Sequence, residues 1–216
     1  MSPWVERRPE VIRQRYNRIA PFFRVFEWIF LMPPGMRSRA VDRMQLRRGD
    51  VALEIGCGTG RNLPYLLRAT GSEGRVYGVD VSKGMLERAH RRSVRNGWQN
   101  IVLVRGDAAE YTPPEPADAV LFSLSYATMV HRLQVLRHCW DLLKPGGRLV
   151  IMDAKPMPGL AGRIFTPLGT WVSNATVLGN PEVRPWEDLR GLAGEVDMRE
   201  FSMGSYFVAC ATKSTT

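Results

Sequence analysis

A chain of 216 residues, 44% hydrophobic and 24% charged, has the composition of an ordinary globular protein, long enough for one α/β core and short for two. No apolar stretch reaches the ~18 residues of a membrane-crossing helix, and the first residues lack the uninterrupted apolar core of a secretory leader, so the cytoplasm is the expected compartment. Of the net charge of +9, six units fall in residues 1–50, where eleven arginines stand against five acids; this points to an anionic partner for that part of the chain.

Residues 11–32 place Ile12, Tyr16, Ile19, Phe22, Phe23, Phe26, Ile29 and Phe30 at three- and four-residue steps, with Arg13, Arg15, Arg18 and Arg24 between them. The periodicity predicts a helix with one aromatic and one basic face, broken near Pro21. Such a helix either lies in a bilayer interface with its arginines on anionic headgroups, or closes as a lid on the domain. We therefore divide the chain into a basic amphipathic segment, 1–44, and a domain, 45–216.

From residue 51 apolar runs alternate with helical stretches. Strands are predicted at 51–56, 75–80, 100–105, 117–124 and 147–153, and helices at 62–70, 83–96 and 131–144. The alternation means a parallel sheet covered on both faces. Lys144-Pro145-Gly146-Gly147 is read as the stop of the third helix. Residues 156–190, rich in Pro and Gly with Trp171 and Trp186, form an insertion, and runs at 197–203 and 205–212 form a closing hairpin.

The first strand ends in Glu54 and runs into Gly56, Gly58 and Gly60, and the second ends in Asp80. Glycines let the backbone pass close beneath a ligand, the following helix points free N–H groups at it, and Asp80 is placed to accept both hydroxyls of a ribose. A dinucleotide fingerprint needs glycine where Arg61 stands, so pyrophosphate fits poorly. Cys57, Cys139 and Cys210 have no metal-ligand spacing; neither a disulfide nor a metal is expected.

Glu54-Ile55-Gly56-Cys57-Gly58-Thr59-Gly60 resembles motif I of the class I S-adenosylmethionine-dependent methyltransferases, and LLKPGGRLVI at 142–151 resembles the segment that precedes their fifth strand. The likeness covers about residues 45–155 and the hairpin. It implies a Rossmann-like sheet of seven strands, mostly parallel, with an antiparallel C-terminal hairpin, and S-adenosylmethionine as the cofactor. Arg15-Tyr16-Asn17-Arg18-Ile19-Ala20-Pro21 is similar to the Tyr-x-x-Ile-Ala-Pro element of the ubiquinone and menaquinone methyltransferases and of the bacterial phosphatidylethanolamine N-methyltransferases. The Asn-Arg-x-Met-Ser element of the quinone enzymes is absent, and Pro33-Pro34-Gly35-Met36 stands in its region.

The resemblance assigns the glycines and Glu54 to the methionine moiety, Asp80 to the ribose, and Asp107 to the adenine amino group. Met85 would pack on the adenine, or simply in the core, and Asp107 is alternatively a helix N-cap. Ser123 follows the fourth strand, at the sheet edge where ligands of open α/β folds bind. Ser125, Tyr126 and His131, just beyond it, are candidates to meet the methyl acceptor, and Tyr16 to cover the site. For a phospholipid amine such as phosphatidylethanolamine, Arg184 would contact the phosphodiester and Tyr206 the methylated cation. The alternatives there are a surface arginine and a strand core residue. The expected partners are a lipid or small-molecule acceptor and an anionic membrane surface, with peripheral membrane association; a small soluble or quinone-like acceptor is the other reading. Nucleic acid is not expected, because the basic residues sit on a strongly apolar helix.

Overall fold

Residues 51–55 are apolar except for Glu54, and all five are buried, as a strand covered on both faces requires. This strand, β1 (Val51–Ile55), lies third from one edge of a seven-stranded sheet in a computed structural model that describes residues 32–156, 180 and 182–215. The other strands are β2 (Arg75–Asp80), β3 (Ile101–Arg105), β4 (Ala117–Ser123), β5 (Leu143–Ala154), β6 (Asp197–Phe201) and β7 (Tyr206–Thr212). Their order is β3-β2-β1-β4-β5-β7-β6, with β1 to β5 parallel and β7 antiparallel to both its neighbours. The chain works outward from β1 to β3 and then returns to lay β4 on the other side of β1. At that reversal the loops after β1 and β4 part, leaving a crevice at the C-terminal edge of the sheet.

Alternation along the strands divides the core in two. Leu53, Ile55, Phe122, Ile151 and Phe207 face one side, beneath α4 (Arg132–Asp141) and α5 (Pro185–Ala193). Ala52, Val76, Leu121, Val150 and Val208 face the other, beneath α1 (Met36–Arg43) and α2 (Leu63–Thr70). Each fully buried large apolar side chain is worth about 1.5–3 kcal/mol. Glu54 shares the parity of Ala52, so it points toward the start of α2. The helix α3 (Lys83–Arg95) starts at Ser82, whose hydroxyl accepts from Met85 N at 3.2 Å.

Two helices lie where none was predicted. The helix α1 follows Pro33-Pro34-Gly35, with Gly35 in the left-handed region (φ 76°), and it buries Met36, Ala40 and Val41. Residues 36–44 are thus packed with the domain. Residues 11–31, with Tyr16, and Trp171 in the insertion lie outside the described residues. The helix α5 carries proline in its first turn and Glu187 and Asp188 beside its N-terminus, which are favourable starting signals inside the stretch read as insertion.

The stop read at Lys144-Pro145-Gly146-Gly147 is displaced. Helix α4 ends at Asp141, and the four residues form an irregularity within β5, where Leu143 to Arg148 spans the same stretch as Ala117 to Ala119 on β4. Lys144 Nζ donates to both oxygens of Asp118 at 2.8 Å, and Asp118 in turn accepts from Val51 N at 2.8 Å. At the other end of the hairpin, Lys213 Nζ donates to the carbonyls of Trp140 (2.9 Å), Asp141 (3.1 Å) and Leu143 (2.8 Å), satisfying acceptors that the end of α4 leaves open.

Tyr126, expected near the methyl acceptor, is instead fully buried. Leu124 takes a positive φ of 55°, which turns the chain after β4 so that the Tyr126 ring packs edge-on against Phe122 with centroids 5.5 Å apart. Its hydroxyl donates to Asp188 Oδ2 at 3.0 Å, and Arg132 Nε donates to the same oxygen at 3.0 Å, tying α4 to α5. Tyr126→Phe should therefore lower unfolding stability by about 1 kcal/mol, read as a reduced urea midpoint with an unchanged denaturant slope.

Candidate cofactor and acceptor cleft

The cleft at the C-terminal edge is built by three strand ends. After β1 the chain turns through Gly56, Cys57 and Gly58; Gly56 N and Cys57 N donate to Val79 O at 2.8 and 3.0 Å, and Gly58 N donates to Asp80 Oδ2 at 2.8 Å. The turn is thus fastened to the end of β2 at three points. Gly56 has φ 68°, and a Cβ there would meet Ser125 Cβ at 2.5 Å; at Gly58, φ 54°, a Cβ would project into open space in the cleft. Gly56 is required by the neighbouring loop and Gly58 leaves room for a ligand. Gly60 does not border the cleft. Its Cβ position lies 2.5 Å from Leu63 Cδ1 and 3.2 Å from Ala89 Cβ, so the third glycine lets α2 and α3 pack together.

Glu54, Gly56, Gly58, Asp80, Met85, Asp107, Ser123 and His131 all line this one cleft. Asp80 is held by two backbone donors, Gly58 N and Ser82 N, each at 2.8 Å; burial raises its carboxyl above the usual range and the two N–H groups oppose that rise. Asp107 Oδ1 accepts from Ala109 N at 2.9 Å, a local turn bond that leaves its other oxygen for a ligand. Met85 is buried and also borders the cleft. His131 is exposed at the start of α4, beside Thr128, Met129 and Val130 on the opposite part of the wall.

Glu54 is the most constrained of these groups. It is 1% exposed; Asn62 Nδ2 donates to its Oε1, and its Oε2 is buried with no hydrogen-bond partner. Burial pushes its carboxyl up to about 7, against the pull of Asn62 and Arg37, with Asp80 adding to the rise. An orphaned, buried acceptor that opens on a cleft fits a cationic donor on a ligand. The other acids of the cleft, Asp80 and Asp107, also favour a cation over the phosphates of a dinucleotide.

Arg37 and Asn62 also line the cleft, and neither is among the residues expected there. Arg37 Nη1 donates to Asn62 Oδ1 at 2.9 Å and to Ser123 Oγ at 3.3 Å. Asn62 was legible as the residue opening the helix after the glycine turn. Arg37 carried no signal, because it meets Ser123 across 86 residues of sequence. Two expected acceptor contacts are not in the cleft. Arg184 is exposed at the head of α5, its guanidinium 5.9 Å from the Trp186 ring centroid and its Nε 3.8 Å from Glu187. Tyr206 is buried at the start of β7, opposite Ala154; burial and the nearby Asp153 push its hydroxyl up to about 12. Tyr126, as described above, also stands behind the wall.

Comparison with known proteins agrees with this geometry. Residues 52–147 match the family described as "Methyltransferase domain". The chain is 30% identical over 149 residues to a demethylmenaquinone methyltransferase of Anoxybacillus flavithermus (strain DSM 21510 / WK1), covering 68% of this chain and 59% of that one. It is 35% identical over 146 residues to the aklanonic acid methyltransferase DauC of Streptomyces sp. (strain C5), covering 64% of each. The chain thus spans less than two thirds of the length of these curated relatives. A solved structure of a SAM-dependent methyltransferase from Aquifex aeolicus superposes with a TM-score of 0.61 at 22% identity, covering 84% of this chain and 94% of that one; at this identity the likeness concerns the fold.

The matched domain and the seven-stranded sheet support a class I S-adenosylmethionine-dependent methyltransferase, and S-adenosylmethionine is the cofactor they indicate. Within that class the sequence resembles the ubiquinone and menaquinone methyltransferase group.

The shift of Glu54 sets a pH dependence. Its folded-state carboxyl titrates near 7 and its unfolded one near 4.5, so between those values the folded chain holds a proton that the unfolded chain has lost. Stability contributed at this position therefore falls as pH rises from about 4.5 to 7 and is level above. Urea titrations of wild type and Glu54→Gln should show wild type losing on the order of 2 kcal/mol relative to the variant from pH 5 to pH 8. A difference that does not change with pH would contradict the buried-acid assignment.

Proposed function

We propose that this chain methylates an apolar, quinone-like or phenolic small molecule at the surface formed by Leu124, Thr128, Met129, Val130 and His131. The observation that carries this reading is the division of the cleft. Its carboxylates, Glu54, Asp80 and Asp107, lie on the half bordered by the glycine turn and the end of β2 or β3, whereas the remaining wall after β4 is largely apolar with one imidazole. An acceptor approaching that wall gains from apolar contact and, among the described residues lining it, meets no carboxylate to hold an ammonium. The activities named for the two curated relatives, on demethylmenaquinone and aklanonic acid, support the same acceptor class.

When bound, the cofactor would supply a sulfonium methyl group to the acceptor in line, the C–S bond breaking as sulfur departs as a neutral thioether. The chain's own groups would orient and desolvate the reactants. Asp80 retains lone pairs beyond its two backbone bonds for the ribose hydroxyls, and Asp107 for the adenine amino group. Met85 would cover the base. Gly58 leaves room for the chain between ribose and sulfur, and Glu54 Oε2 would accept from the ammonium. His131 would take the proton of an acceptor hydroxyl, raising its nucleophilicity, and the apolar wall would keep water from the sulfonium.

Phospholipid amine methylation is a second reading, favoured by the Tyr16 element and the aromatic and basic faces of residues 11–32, which lie outside the described residues. With it go an anionic membrane surface as partner and peripheral attachment. Among the described residues no helix is long and apolar enough to cross a membrane. Arg184, which this reading would set against the phosphodiester, is exposed at the head of α5.

Incubation with methyl-labelled cofactor and a bacterial extract divided into quinone, phospholipid, aqueous and RNA fractions distinguishes the two. Label in the quinone fraction is expected, label in the phospholipid fraction supports the second reading, and label confined to RNA excludes both. His131→Ala should lower turnover about 100-fold with the cofactor affinity unchanged.

A further inference from the structure

The hairpin that closes the sheet carries unexpected residues at its tip. Phe201 O accepts from Gly204 N at 3.0 Å and Ser202 O from Ser205 N at 3.1 Å, so the reversal is tight. Ser202, Met203 and Gly204 stand one after another in the left-handed region, at φ 48°, 53° and 82°. Asparagine or glycine is what such a turn ordinarily takes, and serine and methionine both cost backbone energy there. Met203 is also 84% exposed, the most exposed large apolar side chain among the described residues. One residue thus bears two costs, strained backbone and apolar surface in water, and so little of its side chain touches the rest of the protein that internal packing offsets neither.

The surroundings of the tip say what meets it. It lies on the cleft side of the sheet, because Tyr206 pairs with Ala154 at the end of β5, the same edge at which β4 delivers Ser123 to the cleft. It is fringed by cations. Arg39 of α1 stands 5.4 Å from the centre of the Phe201 ring and donates from Nη1 to Pro34 O, and Arg199 is exposed on β6. The acids of β6, Asp197 and Glu200, are engaged by Arg43 and Lys155. One methionine, part of one phenylalanine and two arginines fall far short of the about 800 Å² per partner of a stable protein interface. An apolar point ringed by positive charge suits a fluid surface with acidic groups outside and hydrocarbon within. We propose that the tip of the β6–β7 hairpin docks on an anionic lipid bilayer, Met203 entering the acyl boundary while Arg39 and Arg199 lie against phosphate headgroups. The contact belongs to the folded domain, separate from the amphipathic segment at the start of the chain, and holds whichever acceptor the cleft takes. For an acceptor dissolved in lipid, it turns the cleft toward its source.

Sedimentation of the full chain with phosphatidylcholine vesicles that contain or lack phosphatidylglycerol tests the contact. Wild type should bind the mixed vesicles at least about tenfold more tightly than the neutral ones, and less tightly as salt rises. Met203→Asp should lower binding to the mixed vesicles about fivefold or more, as loss of one apolar side chain from hydrocarbon predicts, and Arg39→Gln with Arg199→Gln about tenfold. Met203→Gly separates this loss from misfolding: glycine relieves the left-handed turn, so that chain should bind more weakly with a urea midpoint no lower than wild type. Met203→Cys carrying an environment-sensitive dye locates the contact, since Cys57, Cys139 and Cys210 are buried, and its emission should shift to the blue on the mixed vesicles. Binding that survives Met203→Asp unchanged, with the dye unshifted, would overturn the proposal, as would no binding to the mixed vesicles. A shift that grows with protein concentration in the absence of lipid would assign the tip to a second copy of the chain and overturn it equally.

Discussion

The site depends on the attachment of the glycine turn to the end of β2. Three backbone N–H groups of the turn donate to Val79 and Asp80, so the loop after the central strand is drawn toward its neighbour rather than standing free above the sheet. At about 1 kcal/mol for each neutral bond and more for the one to a carboxylate, the attachment is worth a sizeable part of a domain's marginal stability. It also sets the floor of the cleft, because Gly58 is left facing open space by the same bond that fixes its N–H on Asp80. Asp80 therefore has two duties: it shapes the turn, and its remaining lone pairs face the ligand. An acid at this position is needed for the loop's conformation even before any nucleoside arrives.

Charge in the cleft is arranged around that floor. Glu54 is buried beneath the turn, half satisfied by Asn62, and its cost of burial is visible in a carboxyl pushed up to about 7. Such a group destabilises the empty protein at neutral pH and is relieved when a cation comes within reach. Arg37 sits on the other side of Asn62, whose oxygen accepts from the guanidinium while its nitrogen donates to Glu54. Stability is given up locally in the wall of the cleft, and under-satisfied groups of this kind cluster where ligands bind.

The architecture and half of the site were legible because they are written in local terms. Strand ends at Glu54 and Asp80, the glycines between, and the regular alternation of apolar runs each follow from turn chemistry or periodicity. What was not legible depends on where the chain goes in three dimensions. Arg37 acquires its role only by meeting Ser123 from far away in sequence. Tyr126 was placed in the cleft by its position after β4, but the left-handed turn at Leu124 sends its ring into the core, and no residue pattern announces a positive φ at leucine. Lys144-Pro145-Gly146-Gly147 reads as a helix stop because proline and glycine suit that as well as a bulge, and only the pairing of Leu143 with Ala117, which puts these residues inside β5, distinguishes the two. Arg184 and Tyr206 were drawn from a substrate hypothesis rather than from local physics, and the structure sets both apart from the cleft.

The ammonium of Lys213 has a reach that its place at the back of the molecule conceals. By gripping three carbonyls around the foot of α4, it gives the helix that carries His131 at its head a firm footing on the closing strand. A rigid rod of ten residues transmits any loosening at its base to its tip, some 15 Å away. The wall of the cleft that His131 borders is thereby tied to the far end of the hairpin, through a contact at the opposite end of the helix.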